Sequence, residues 1–445
     1  MMKKFLAAVF ALISLAVFAQ YSGDISLDKK DGFYKSGETA TCKVLLKKDG
    51  KPLSGTKARL IVKKEGKVLK TEEFSTDGNA KTFSGTLDAP GWLYFGFEVL
   101  DSNGKALKGK GVQKHRMKPS IVTEIGALFD ADKIISPNVC PDDFDQFWAK
   151  RRAMLDKVPV EAKLTELKCN VKNVKLYAVE VACYGSRPAT GYLAVPVGAK
   201  AGSCPAVVEY LSWVNGDASK TVPVARAKQG VLAFYATWHG FPVNQSKDFY
   251  TKNIRAVMQG GHRDICDPDK WVMGEIHFRV LRALEFIKSR PEWDKKNLVV
   301  VGGSLGGAQT AAAAALDKDV TIALVGVPCF AEFDTRKSGR TGSTPHRRNK
   351  LVLKGDDRPF KAGAYFDIVN FAPRTKCEVF VCTGFADETC PPSNVYAYYN
   401  ALKCKKSMST NPRTGHFGTT KNIKGNKKLE ELVGSITVYN HNIHK

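Results

Sequence analysis

The chain has 445 residues, 43% of them hydrophobic and 25% charged, a composition that supports a large core and excludes a disordered polymer. Its 68 Lys+Arg against 44 Asp+Glu leave a formal net charge of +24, which favours polyanionic partners through long-range attraction. No zinc-finger, RNP-like or continuous basic helical pattern accompanies that charge, so nucleic acid is not an expected partner.

In chain order, Met1–Lys4 is basic and Phe5 to Phe18 is almost wholly apolar, with Val17 and Ala19 placed for a cut ahead of Gln20. This is the pattern of a signal peptide over 1–19, and it predicts a secreted or periplasmic protein. The apolar run falls short of the roughly 20 residues that span a bilayer, and no later segment has a span's length and purity. Residues 20–120 read as an all-β, sandwich-like domain. Strand-like runs lie at Ala40–Leu46, Ala58–Val62 and Trp92–Leu100, with turns at Asp49–Gly50, Asp77–Gly78 and Asp101–Gly104. The domain has few candidate catalytic groups, so its expected role is accessory and separable from the chemistry. Residues 107–120 are basic and turn-rich, a linker pattern.

A helix is expected from Pro141 to about Val158. Strands then alternate with helices. The strands are Leu176–Cys183, Ala189–Val195, Pro205–Leu211, Gly230–Ala236, Leu298–Val301, Val320–Val325 and Cys377–Thr383. The helices are Trp271–Ser289, Leu305–Leu316 and a last one near Lys427–Val433. This alternation predicts one α/β domain over 121–445, built on a mostly parallel sheet covered on both faces. Residues 331–364 read as a surface insertion or lid. The 11 cysteines form no CxxC pair and no zinc spacing. Cys169 and Cys183 flank a hairpin and are a candidate disulfide pair. No metal or cofactor is implied.

The strongest local signal is the apolar run Leu298–Val301 followed by Gly302-Gly303-Ser304-Leu305-Gly306 and an alanine-rich helix. A G-x-S-x-G turn between strand and helix lifts a serine hydroxyl above the sheet, and the helix N-terminus beneath it favours negative charge. Ser304 is therefore the candidate nucleophile, with the backbone N–H of Leu305 at the oxyanion. Its base is sought among the downstream histidines His346, His416, His441 and His444. His416 lies in the glycine-flanked loop Arg413-Thr-Gly-His-Phe-Gly, whereas His346 lies in the basic insertion and the other two are at the tail. The acid is expected after the strand ending at Thr383, where Asp387 and Glu388 stand; Asp387 is the choice. The order Ser304, Asp387, His416 is that of the α/β-hydrolase fold.

Several segments resemble the acetyl xylan esterase and cephalosporin C deacetylase family. They are Asp143-Phe-Asp-Gln-Phe-Trp, Arg282-Ala-Leu-Glu-Phe-Ile-Lys-Ser-Arg-Pro-Glu-Trp-Asp, the 302–307 elbow, Tyr365-Phe-Asp-Ile-Val-Asn-Phe-Ala and Asp387-Glu-Thr-Cys-Pro-Pro-Ser. The resemblance runs from about 138 to 425. It implies removal of acetyl groups from carbohydrate and other small alcohol esters, with no cofactor and with assembly into a homo-oligomer. It maps the family's triad onto Ser304, Asp387 and His416. It also implies a second oxyanion donor at the backbone N–H of Trp213. Three positions depart from the family pattern. Leu305 replaces a glutamine, Leu211-Ser-Trp213 replaces His-Gly-Tyr, and Thr237-Trp-His-Gly-Phe-Pro replaces an Arg-Gly-Gln motif. His239 in the last of these reads equally as a polar pocket residue or as a satisfied loop histidine.

The expected function is a serine carboxylesterase acting on an acetylated sugar or oligosaccharide. Two other readings stay open: an exopeptidase or other acyl hydrolase on the same fold, and an inactive carbohydrate-binding protein. The basic residues of 336–350 read either as a patch that steers an acidic sugar or as a solvated face.

Overall fold

The computed structural model describes residues 20–108, 119–214, 216–260, 264–343 and 354–418. The signal-like segment, most of the 107–120 linker, His346, His441, His444 and the helix expected near 427–433 lie outside the described residues.

Among the described residues, the N-terminal part holds nine strands. They are β1 (Tyr21–Leu27), β2 (Phe33–Tyr34), β3 (Thr39–Lys48), β4 (Lys51–Pro52), β5 (Ser54–Lys64), β6 (Lys67–Asp77), β7 (Lys81–Thr86), β8 (Gly91–Val99) and β9 (Ile121–Phe129). One sheet runs β1-β3-β4 with β7 against β3, and the other runs β2-β9-β8-β5-β6. The period-two pattern of β3 turns Ala40, Cys42, Val44 and Leu46 to one side. There they share a core with Ala58, Leu60 and Val62 of β5 and with Phe95 and Phe97 of β8. Each such large side chain contributes about 1.5–3 kcal/mol by leaving water. The expected sandwich is present, and its second sheet takes in Ile121–Phe129, past the boundary near 120.

Strand β8 is buried at every position. Leu93, Phe95, Phe97 and Val99 enter the sandwich core. Trp92 and Tyr94 point the other way, into a cluster with Phe385, Ala386, Tyr396 and Ala397 from the second half of the chain. A strand covered on both faces needs no polar alternation, which accounts for the run without polar residues from Trp92 to Phe97.

The second half is built on nine strands: β10 (Ala162–Leu167), β11 (Val174–Val181), β12 (Ala189–Pro196), β13 (Cys204–Tyr210), β14 (Leu232–Ala236), β15 (Trp293–Gly303), β16 (Ile322–Gly326), β17 (Glu378–Gly384) and β18 (Lys406–Asn411). They form one sheet in the order β10-β11-β12-β14-β13-β15-β16-β17-β18. Strands β10 to β12 are antiparallel, as is β12 to β14, and β14 through β18 are parallel. Helices α1 (Phe144–Asp156), α2 (Thr221–Ala227), α3 (Lys247–Gly260), α4 (Val272–Ser289), α5 (Leu305–Leu316), α6 (Asp357–Gly363), α7 (Ile368–Phe371) and α8 (Pro392–Ala401) connect and cover it. Successive residues of the central strands serve opposite faces. Val208, Val300 and Val325 pack with α4 and α5, whereas Val207, Val299, Val301 and Leu324 form a separate cluster with Val231. This is an α/β-hydrolase sheet.

The elements not expected from sequence include buried ones, β9 and α8 among them, and two polar strands. β10 and β18 close the two edges of the sheet and are largely polar, β10 mostly exposed and β18 mostly half-buried, as edge strands that resist further pairing are. Two expectations are corrected. Cys169 and Cys183 do not pair; all 11 cysteines are unpaired, and a hydrophobic core of this size has no need of a staple. The start of the 331–364 insertion is not a surface lid either. Ala331, Glu332 and Phe333 are buried, because the Asp367 carboxylate accepts the Glu332 and Phe333 N–H groups at 3.0 and 2.6 Å and draws the segment inward.

Unfolding should therefore give the same thermal midpoint with and without dithiothreitol. A midpoint lowered by several degrees on reduction would reveal a disulfide, since closing a loop of this size is worth about 3 kcal/mol.

Candidate active site

The parallel strands β15, β16, β17 and β18 end side by side at Gly303, Gly326, Gly384 and Asn411. In open α/β sheets this carboxyl edge is where chemistry is placed. Ser304 follows β15, Asp387 follows β17 and His416 follows β18, so one edge receives all three sequence-predicted residues.

Ser304 has φ 58° and ψ −120°, a left-handed backbone that a non-glycine residue adopts only under constraint. Its N–H donates to Gly326 O at 2.9 Å and its carbonyl accepts from Cys329 N–H at 3.2 Å, which fixes the turn. The flanking glycines are required by contact. A Cβ on Gly302 would lie 2.2 Å from Gly306 O, and one on Gly306 would lie 2.3 Å from Tyr210 O. Without side chains there, α5 can begin directly against β13. Leu305 is the first residue of α5, so its N–H has no carbonyl one turn back to receive it.

The Leu211-Ser-Trp213 loop is fastened to this elbow. Ser212 Oγ donates to Gly303 O at 2.5 Å, and Gln309 Nε2 from α5 donates to Leu211 O at 3.1 Å. The serine hydroxyl thus supplies a fixed contact where the family pattern has glycine. Trp213 stacks on Trp238, with centroids 4.2 Å apart and planes 14° from parallel. Trp238 is fully buried, while Trp213 keeps 36% exposure. His239 is fully buried beside them. Its Nδ1 accepts from Phe241 N–H at 3.0 Å. Burial and the nearby Arg279 and Arg187 guanidiniums push its pKa down to about 3, so the ring is neutral. It organises the 237–241 loop from within.

His416 Nδ1 and Asp387 Oδ2 are 2.8 Å apart. Asp387 has no exposed surface and His416 has 6%. The other carboxylate oxygen accepts N–H groups from Thr389 at 2.8 Å and Cys390 at 3.0 Å. Burial opposes charge on the imidazole, but the Asp387 carboxylate and the adjoining Cys390 thiol outweigh it. The His416 pKa is held well above its ordinary value. Burial pushes the Cys390 thiol itself up to about 12, so it stays neutral. The acid and histidine loops are tied to each other by Phe385 N–H to Asn411 O at 3.0 Å and by Ala386 N–H to Thr414 O at 3.1 Å.

Glu388, the other acid weighed after β17, points elsewhere and pairs with Lys63 at 2.5 Å. Of the basic 336–350 stretch, Arg336 is engaged by Asp334 and Asp357, and Arg340 by Glu332. Both arginines are thus paired with carboxylates of this chain, Arg340 mostly buried and Arg336 partly exposed. The contribution of Cys390 beside His416 escaped sequence reasoning, although its place three residues after the acid was the available signal.

The comparisons with known proteins identify the family. Residues 130–429 match the acetyl xylan esterase (AXE1) family. The acetyl esterase Axe7A of Xylanibacter ruminicola is 27% identical over 405 residues, covering 88% of this chain and 85% of that protein. An acetyl xylan esterase from Paenibacillus superposes with a TM-score of 0.60 at 24% identity, covering 68% of this chain and 98% of that one. Acetyl xylan esterase 1 from Thermoanaerobacterium superposes with a TM-score of 0.52 at 21% identity, covering 66% and 96%. The chain belongs to the acetyl xylan esterase (AXE1) family.

Proposed function

We propose that this protein is a serine esterase that removes acetyl groups from carbohydrate esters through an acyl intermediate on Ser304. The observation that carries the reading is the 2.8 Å His416–Asp387 bond at the same sheet edge as the left-handed Ser304 elbow. With Nδ1–H given to Asp387, His416 Nε2 takes the Ser304 proton as the hydroxyl attacks the ester carbonyl. The backbone N–H groups of Leu305 and Trp213 stabilise the oxyanion. His416 returns the proton to the leaving sugar hydroxyl, then activates water to release acetate. Every step uses the protein's own groups and water.

The carbohydrate part of the reading draws on the relatives, which are named as acetyl and acetyl xylan esterases, and on two aromatic side chains beside the machinery. Trp213 is partly exposed against its Trp238 backing, and Phe417, next to His416, is 48% exposed. Flat apolar faces of this kind suit the C–H face of a sugar ring. We further propose export, on the basic and apolar pattern of 1–19; a mature N-terminus at Gln20 checks it.

Ser304→Ala should abolish release of acetate from a chromogenic acetyl ester while the fold is kept; turnover near the parent's would contradict the assignment. Asp387→Asn should lower kcat by about four orders of magnitude, whereas Glu388→Gln should not approach that loss.

The raised His416 pKa sets a pH dependence with a definite sign. The neutral ring is the base, so kcat/KM falls as pH drops through a midpoint above the ordinary 6.5. The same pair adds stability below the unfolded-state pKa of the imidazole and loses it as pH rises through the higher native value. An activity midpoint below 6.5 would contradict the Asp387–His416 coupling.

Trp213→Ala leaves the backbone donor in place. It should raise KM for an acetylated xylo-oligosaccharide about ten-fold, the scale of one aromatic stacking contact, while KM for a small chromogenic acetate stays near the parent's. Equal changes on both substrates would remove the sugar-stacking role.

A further inference from the structure

The family match begins at residue 130, and the Paenibacillus esterase is 98% covered by only 68% of this chain. The β1–β9 unit therefore lies outside the region shared with that esterase. Several of its directional contacts fall on the two loops that carry the acid and the histidine.

Asp387 is held from both sides. Immediately after it, Glu388 pairs with Lys63 of β5 at 2.5 Å, both side chains being mostly buried. Two residues before it, the Phe385 carbonyl accepts the Trp92 indole N–H of β8 at 2.7 Å in a fully buried setting. Against the same carbonyl lies Gly126 of β9, where a Cβ would sit only 1.9 Å from Phe385 O. The N–H of Gly126 donates to Pro412 O of the histidine loop at 2.9 Å. Glu124, which accepts the Tyr94 hydroxyl at 2.6 Å, faces Gly415: its Oε1 lies 3.2 Å from where a Cβ on that glycine would stand. The turn between β5 and β6 anchors the assembly. Glu65, left-handed at φ 49°, accepts from Ser393 Oγ at 2.6 Å and from Trp92 N–H at 2.6 Å. Its own carbonyl receives the Thr341 hydroxyl at 2.5 Å.

We propose that the N-terminal β unit is a positioning element of the active site: Lys63, Trp92 and Gly126 set the placement of Asp387 and His416 by holding the loops that carry them. The proposal rests on the esterase reading above. Apolar cover alone would need none of these directional bonds. Hydrogen bonds and an ion pair on residues adjacent to the acid fix its position along the loop as well as its burial. β9 reaches both loops with neighbouring residues, so it sets their spacing. The unit is thus not separable from the chemistry, against the expectation drawn from its lack of catalytic groups.

The test uses the full chain with Lys63→Met, Lys63→Arg, Trp92→Phe and Gly126→Ala. Three quantities are compared with the parent: kcat and KM on a small chromogenic acetate, the thermal midpoint, and hydrogen exchange of peptides spanning 385–391 and 411–418. Lys63 lies at the margin of the interface, so its variants should fold even if Gly126→Ala does not. Lys63→Met and Trp92→Phe should lower kcat about ten-fold, the scale set by small misplacements of catalytic groups. KM should stay within about two-fold, and both loop peptides should exchange faster. Lys63→Arg should restore kcat and protection. Folded Lys63→Met and Trp92→Phe proteins with parental kcat and parental loop exchange would overturn the proposal. If the parent itself hydrolyses no acetyl ester, that result falls on the esterase reading. The exchange comparison then decides whether the unit holds the loops, and parental exchange in the variants overturns that.

Discussion

The site depends on one buried contact, the hydrogen bond between the Asp387 carboxylate and the His416 ring. A carboxylate with no exposed surface is costly unless its oxygens are satisfied. Here Thr389 and Cys390 N–H groups serve one oxygen and the imidazole serves the other. The loop after β17 is therefore shaped around the acid, and the loop after β18 is shaped around its partner. Backbone bonds from Phe385 and Ala386 to Asn411 and Thr414 lock the two together. The β unit then closes over them. This order of dependence explains why β8 is buried on both faces: one face builds the sandwich and the other covers the acid loop.

The elbow solves a different problem, that of bringing a backbone-constrained serine and a helix N-terminus to the same point. Gly302 and Gly306 let strand and helix approach within distances that any Cβ would forbid. The family departures are absorbed locally. Ser212 ties its loop to Gly303 by its hydroxyl, and Trp238 supports Trp213 by stacking. His239 stays neutral and holds the 237–241 loop from the inside. The replaced residues thus alter the walls of the site and leave the Ser304, Asp387 and His416 framework standing.

Much of this was legible in the sequence because the chemistry leaves local marks. Strand, G-x-S-x-G and alanine-rich helix form a continuous signature, and helix α5 spans Leu305–Leu316 as expected. Asp387 follows from its place after the strand ending at Thr383, and His416 from its glycine-flanked loop and from chain order. The polar strand Lys406–Asn411 that delivers His416 was not legible, because Met408 is its one apolar residue and a single residue sets no alternation. The role of the β unit was hidden for another reason: a positioning contact needs no catalytic residue. Its signals were present nonetheless, in the run without polar residues from Trp92 to Phe97 and in glycine at position 126. Both make sense only once the acid loop is seen against them.

The central claim is that the Asp387–His416 pair activates Ser304 for covalent acyl transfer. Rapid quenching during turnover of an activated acetyl ester, followed by peptide mapping, tests it most directly. The account predicts one acetyl group on the peptide that carries Ser304, absent from Ser304→Ala and accumulating when deacylation is slowed at low pH. Acetyl found instead on Cys390, or steady turnover by the Ser304→Ala protein, would contradict it.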